Sequence, residues 1–349
     1  MDKYIELLKS LISVPSLSQN EQEAAQVIRQ FLTDSKVKFD SKANNTWIRN
    51  RFWKDGLPVI LLNSHIDTVK PAGGYTRDPF SPDVKDGALY GLGSNDAGGC
   101  LVTLLAVFMY FNLAKNLPYN LIYAASAEEE ISGINGLESI LKELGPITLA
   151  IVGEPTRMQM AIAEKGLMVL NCTAHGKSGH AAREEGENAI YKAIADIEKI
   201  RNFRFEKTSE ILGAVKMSVT MISAGMQHNV VPDTCSFVVD VRTNEYYSNQ
   251  QAYEIIEQHI DSEISPRSFR LNSSGIPLDH PIVKRGINLG LNYYGSPTTS
   301  DQAVIPYPSV KIGPGDSARS HTADEYIYIS ELEDGFKIYV ELLTNLELI

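Results

Sequence analysis

The chain has 349 residues, 43% of them hydrophobic, and a formal net charge of −11. That length allows two domains and a substantial core, and that acidity argues against nucleic acid or an anionic membrane as a partner. Three widely spaced cysteines (Cys100, Cys172 and Cys235) form no thiolate metal motif and an odd set, which predicts a reducing, cytoplasmic setting.

The N-terminus, Met1-Asp2-Lys3-Tyr4, carries no apolar leader, so no signal peptide is expected. Tyr4, Leu7, Leu8, Leu11 and Ile12 form a helical stripe that Pro15 stops. Ser18 and Glu21 read as a capping box for the next helix, with Ala24, Ile28, Phe31 and Leu32 on its core face. Residues 59–62, 121–125 and 150–152 are short continuous apolar runs, the pattern of strands buried on both faces of a parallel α/β sheet. Residues 98–114 supply a covering helix. Its apolar stretch, 101–113, is too short to cross a bilayer and reads as a buried helix.

The pattern changes after Lys165-Gly166. Met168, Leu170, Cys172 and Ala174 alternate as in a half-exposed strand, and Ile190, Ala193, Ile194, Ile197 and Ile200 mark an amphipathic helix. Strands over 216–222 and 235–242, a helix near 252–260 and a strand over 268–272 complete a β-α-β-β-α-β order, the ferredoxin-like arrangement. Beyond Gly275 the earlier pattern resumes, with a strand at 309–312. Ser330 and Glu333 are expected to cap a final helix whose core face is Phe336, Tyr339, Val340 and Leu343. The expected fold is α/β. A discontinuous catalytic domain with a mostly parallel sheet (1–164 and 276–349) accepts an inserted ferredoxin-like lid (165–275).

Acids and histidines punctuate the ends of the apolar runs. His65-Ile66-Asp67 follows the first run, the Glu128-Glu129-Glu130 run follows the second, and Glu154 follows the third. Asp96 closes the turn Gly91-Leu92-Gly93-Ser94-Asn95-Asp96, and His321 lies in a glycine- and serine-rich loop. Ligands in open α/β sheets collect beyond the carboxyl ends of strands, and zinc takes neutral imidazole and carboxylate. Asp67 is placed to accept the second N–H of His65 and fix its tautomer. Taken alone, each element has a bland counterpart. His-x-Asp is a loop histidine beside a solvated acid, Asp96 a helix cap, and three glutamates a solvated charge run. Their joint occurrence, in this order on these elements, predicts two divalent cations beside an acid that ligates neither.

The segments Asn63-Ser64-His65-Ile66-Asp67-Thr68-Val69, Gly91-Leu92-Gly93-Ser94-Asn95-Asp96, Glu129-Glu130, Gly153-Glu154-Pro155-Thr156 and Ser320-His321-Thr322-Ala323-Asp324-Glu325 resemble the acetylornithine deacetylase / succinyl-diaminopimelate desuccinylase family of two-zinc amidohydrolases. The likeness spans essentially the whole chain. It implies that His65 and Glu154 bind one zinc, that Glu130 and His321 bind the other, and that Asp96 bridges them. It further implies Glu129 as general base and Asp67 as the partner of His65. His180, in Ser178-Gly179-His180-Ala181-Ala182, would steady the oxyanion in the partner subunit of a homodimer formed through the lid. Asn229, Arg242, Thr299 and Ser300 match positions that contact substrate in relatives. Alone, His180 is a turn histidine and Arg242 a surface ion pair. Two departures stand out: Glu128 occupies a place where relatives often carry Asp, and Gly98 one where many carry Lys.

The resemblance implies metal-dependent hydrolysis of the amide bond of a small N-acyl amino acid. N-acetyl- or N-succinyl-ornithine or -citrulline in arginine biosynthesis is the first expectation. Succinyl-diaminopimelate desuccinylation in lysine biosynthesis comes second, and a dipeptidase or aminoacylase third. Zinc is the expected metal, though carboxylate–imidazole sites also accept cobalt or manganese. A metal-dependent binding protein on the same fold is the alternative outside enzymes, and the spare acid Glu129 speaks against it.

Overall fold

The computed structural model describes residues 1–348. The chain divides into two compact units. One comprises Met1–Ile162, Gly275–Tyr294 and the chain from Ser300 onward; the other comprises Ala163–Ser274 and Gly295–Thr299.

The first unit is built on strand Val59–His65, buried along its whole length. Asn120–Ser126 and Leu149–Val152 flank it in parallel, and Ser309–Lys311 lies parallel to the latter. Asn45–Arg49 adds an antiparallel strand beside Asn120–Ser126. Continuous apolar runs suit these strands because both faces are covered. Helix Gly99–Phe111 packs on one face with Asp2–Ile12 and Ile329–Leu343. Leu137, Ile140, Leu144 and Ile147 pack on the other, against Trp47, Leu61 and Ile122. Ser94–Phe111 passes for a membrane span by length and composition, yet 78% of that window is buried within the protein.

Register decides where the chemistry sits. His65 pairs with Ser126, and Asn63 with Val152, so the three strands end close together at one edge of the sheet. The loops that begin at Ile66, Ala127 and Gly153 therefore open at the carboxyl edge. Gly153 is needed there, because a Cβ would run into Leu104 and Cys100 of the covering helix.

Two expected caps do not form. Helix Gln22–Asp34 begins at Glu21 without a side-chain cap. Ser18 instead donates to the Asp67 carboxylate at 2.7 Å, and buried Glu21 accepts from the Glu128 N–H at 3.2 Å and from Asn44 at 2.8 Å. Tertiary partners at the site outcompete local capping. In the last helix, Ile329–Leu343, it is Glu331 that takes the Tyr328 N–H, at 2.9 Å, rather than Glu333 acting with Ser330.

The second unit is an antiparallel sheet in the order Lys216–Ala224, Thr234–Arg242, Met168–His175, Glu263–Pro266. Helices Ala189–Asn202 and Asn249–Glu257 cover one face, enclosing Leu170, Cys172, Phe237, Val239 and Val241 with Ala193, Ile200 and Ile256. This is the ferredoxin-like order. The last strand is Glu263–Pro266, not 268–272. The buried amide of Asn249 donates to the carbonyls of Leu167, Phe269 and Leu271 (3.1, 3.5 and 2.7 Å), which holds the 268–272 segment as a loop.

Candidate metal centre

His65 is the last residue of its strand and is 1% exposed. Its Nδ1 lies 2.9 Å from the backbone carbonyl of Asp67. A carbonyl only accepts, so Nδ1 carries a proton, and Nε2 is the nitrogen that faces the cluster. The sequence led us to expect the Asp67 carboxylate in this role; its nearer oxygen is 3.5 Å away. That carboxylate instead accepts the N–H groups of Glu129 and Glu130 (3.0 and 3.1 Å), which fixes the turn that presents both glutamates.

Around His65 Nε2 lie Asp96 Oδ1 at 3.3 Å, Glu154 Oε1 at 3.7 Å and Glu129 Oε2 at 3.9 Å. The other oxygen of Asp96 faces His321 Nε2 at 3.6 Å, and Glu130 Oε2 is 3.0 Å from that same nitrogen. One carboxylate thus turns its two oxygens toward two imidazoles. His65, Asp96 and Glu130, and likewise His65, Glu129 and Glu154, offer ligand atoms within 4.8 Å of one another. Glu128 points elsewhere: its carboxylate accepts from the side chain and N–H of Asn135 (3.0 and 3.2 Å). Gly98 is also accounted for, since a side chain there would meet the Gly93 carbonyl and Leu8.

Buried carboxylates packed this closely resist ionisation. Burial, then the charge of Asp96, pushes Glu154 up to about 8, against the opposing pull of His65. Burial also holds Glu129 well above the usual carboxylate range, with Glu154, Asp301 and Glu130 adding to it. Burial would raise Asp96 too, but hydrogen bonding and charge from His65, Ser320 and His321 outweigh it and hold it low. The hydrogen bond to Glu130 lifts His321 to about 9. His65 Nε2 and Glu154 Oε1 are buried with no hydrogen-bond partner among the described residues. Orphaned donor atoms of hard and borderline character, aimed at one another, suit divalent cations.

The remaining sequence candidates divide between the units. Ser300, in the first, is buried and caps the turn Asp301–Val304. In the second unit, exposed His180 lies on a two-residue strand paired with Val230–Val231, its Nδ1 accepting from the Ala182 N–H at 3.1 Å. The Asn229 carbonyl accepts from the Ala181 N–H at 3.0 Å. The Arg242 guanidinium grips Asp240 through Nε and Nη2 (2.8 and 3.1 Å) and donates to Thr299 Oγ1 at 3.2 Å.

Two acids in the first unit had been given no role. Asp301 is buried and accepts from Asn63 and Ser126 (2.8 and 2.7 Å). Glu325, 2% exposed, accepts from the backbone of the Asp96 turn. No local pattern shows what either one binds, because their partners lie more than 100 residues away in the chain.

A family model described as Peptidase family M20/M25/M40 matches residues 61–345. A succinyl-diaminopimelate desuccinylase of Wolbachia pipientis subsp. Culex pipiens (strain wPip) is 25% identical over 371 residues, covering 98% of this chain and 92% of that protein. Among solved structures, aminopeptidase PepT from Bacillus cereus ATCC 10987 superposes with a TM-score of 0.79 at 18% identity, covering 99% of this chain and 98% of that one. The YXEP protein of Bacillus subtilis, described as a dinuclear metal binding peptidase, gives 0.76 at 18% identity, covering 100% and 99%. These structural likenesses establish a shared fold.

Proposed function

Because the chain belongs to Peptidase family M20/M25/M40, a family of metallo-hydrolases, we propose that it cleaves the amide bond of a small N-acyl amino acid. The observation that carries this reading is Asp96, whose two oxygens face His65 and His321 at 3.3 and 3.6 Å, with Glu129 beside them. In this reading His65 and Glu154 would hold one cation, Glu130 and His321 would hold the other, and Asp96 would be shared. When bound, two divalent cations, zinc first among them, supply Lewis acidity that polarises the acyl carbonyl and acidifies water.

The protein's own groups do the rest. His65 is held in one tautomer by the Asp67 carbonyl, and Asp67's carboxylate braces the Glu129–Glu130 turn. Glu129 takes the proton of the attacking water and returns it to the departing amine. By resemblance, Asn229, Arg242, Thr299 and Ser300 contact the substrate, and a planar guanidinium suits a carboxylate. His180 of a second copy steadies the oxyanion in a homodimer formed through the 165–275 region. An equal mixture of Glu129→Gln and His180→Ala chains would then regain activity that neither has alone.

For the substrate, the motifs of the chain support N-acetyl- or N-succinyl-ornithine or -citrulline in arginine biosynthesis. A second reading, succinyl-diaminopimelate, is favoured by the name of the 25% identical relative. One screen tests both. Metal-loaded protein is incubated with the acetyl and succinyl forms of ornithine, citrulline and diaminopimelate, and the freed amine is measured. Cleavage of unacylated dipeptides alone would sink both substrate readings.

A further inference from the structure

Glu325 occupies an unusual position for an acid. It is 2% exposed, and among the described residues no lysine or arginine is bonded to it. Its Oε2 accepts the Gly93 N–H at 3.0 Å, and its Oε1 accepts the N–H groups of Asn95 and Asp96, both at 2.8 Å. Its own carbonyl accepts from the Gly91 N–H at 3.0 Å. One residue therefore binds the backbone of the whole turn that ends in Asp96. The turn needs such a partner. Gly93 sits at φ +74, wedged against the Thr68 methyl, where a Cβ would collide. Left without an acceptor, each buried N–H would bear the full cost of its lost hydration.

The segment that carries Glu325 is itself tied down. Asp324 accepts from the N–H and hydroxyl of Thr76 (2.9 and 2.5 Å) and from the Arg77 N–H at 3.2 Å. Strand Tyr326–Tyr328 pairs with Ala88–Tyr90. His321, four residues before Glu325, faces Glu130 and Asp96. A single short stretch thus presents one imidazole and aligns the carboxylate opposite it.

We propose that Glu325 is a positioning residue, whose carboxylate fixes the Gly93–Asp96 turn so that both Asp96 oxygens are aimed before any cation arrives. The proposal rests on the reading of Asp96 as the ligand shared by two cations. Outer partners that orient ligands typically change metal affinity 10- to 100-fold. Glu325→Gln keeps the size of the side chain but replaces one acceptor with an NH2 group that faces N–H donors, so the turn loses part of its clamp.

The test titrates metal-stripped wild type, Glu325→Gln and Asp324→Asn with Co2+, following the visible absorption of the bound ion. Wild type is expected to take two equivalents. Glu325→Gln should bind about 10- to 100-fold more weakly, while Asp324→Asn should match wild type. Wild-type affinity in Glu325→Gln overturns the proposal, even if its melting temperature falls, because the role is then structural only. An equal loss in Asp324→Asn also overturns it, since the effect is then general loosening of the segment. A wild type that binds no cobalt sinks the underlying metal reading instead. Should Glu325→Gln fail to fold, amide exchange in the metal-stripped wild type decides. Slow exchange at Gly93, Asn95 and Asp96 supports the proposal, and exchange at unprotected rates until cobalt is added overturns it.

Discussion

Two acids, buried Asp196 in the second unit and half-buried Glu154 in the first, show opposite electrostatics. Asp196, on helix Ala189–Asn202, accepts from Lys199 at 2.9 Å, from the Asp261 N–H at 3.1 Å, and from the Ser262 N–H and hydroxyl at 2.8 and 2.6 Å. Burial would raise its pKa, but these partners outweigh it and hold it below the usual range. Glu154, at the carboxyl edge of the first unit's sheet, has one oxygen with no partner among the described residues and is pushed up to about 8 by burial and then by Asp96. Asp196 is an acid the protein has already satisfied. Glu154 is one that the described residues leave unsatisfied at one oxygen. Burial alone does not separate structural acids from functional ones; the count of donors around them does.

The largest effect expected on the functional side is at Glu129. Glu129→Gln should retain both metals, as elemental analysis would show, and lower kcat by about 10²–10⁴-fold, the usual worth of a general base. Near-normal turnover would remove Glu129 from that role. On the structural side, Asp196→Ala should destabilise the fold by about 2–4 kcal/mol, since several buried N–H and hydroxyl donors lose their acceptor. Urea unfolding of the metal-stripped protein measures this directly. Little change there would mean that Asp196 is no better satisfied than Glu154, and the contrast between the units would fail.

The sequence made the strands legible because a buried parallel strand leaves a run such as Ile60-Leu61-Leu62, and each run ended near an acid or histidine. It also made the alternating strand Met168–His175 legible, since one of its faces meets helices. What it hid was partnership across long separations. Ser18 and Glu21 have the spacing of a capping box, yet their partners are Asp67, Asn44 and Glu128. Strand Glu263–Pro266 was missed because the 268–272 segment looked equally extended, and only Asn249 shows that it is held as a loop. Glu325 lay in plain view at the end of the motif that begins Ser320-His321, but nothing local reveals that it binds the backbone of residues 93–96. Motif spacing locates ligands; the groups that aim them belong to tertiary structure.

The smallest effect concerns pH, and its sign follows from the same contrast. In the metal-stripped protein Glu154 titrates near 8 rather than its ordinary 4.5, and His321 near 9 rather than 6.5. Between 4.5 and 8 the folded chain therefore holds a proton on Glu154 that the unfolded chain has released, so stability falls as pH rises through that window. The His321 contribution has the same sign: it is complete below 6.5 and is lost as pH rises through 9. Thermal melts in chelator should show a melting temperature that declines from pH 5 to pH 9. Loading should strengthen over the same range, because ligands must shed these protons before they can bind a cation. Glu154→Gln should flatten the lower part of the decline and leave the His321 part between 6.5 and 9 in place. A melting temperature that rises with pH in chelator would show that the cluster is not short of positive partners, and that Glu154 resembles Asp196 after all.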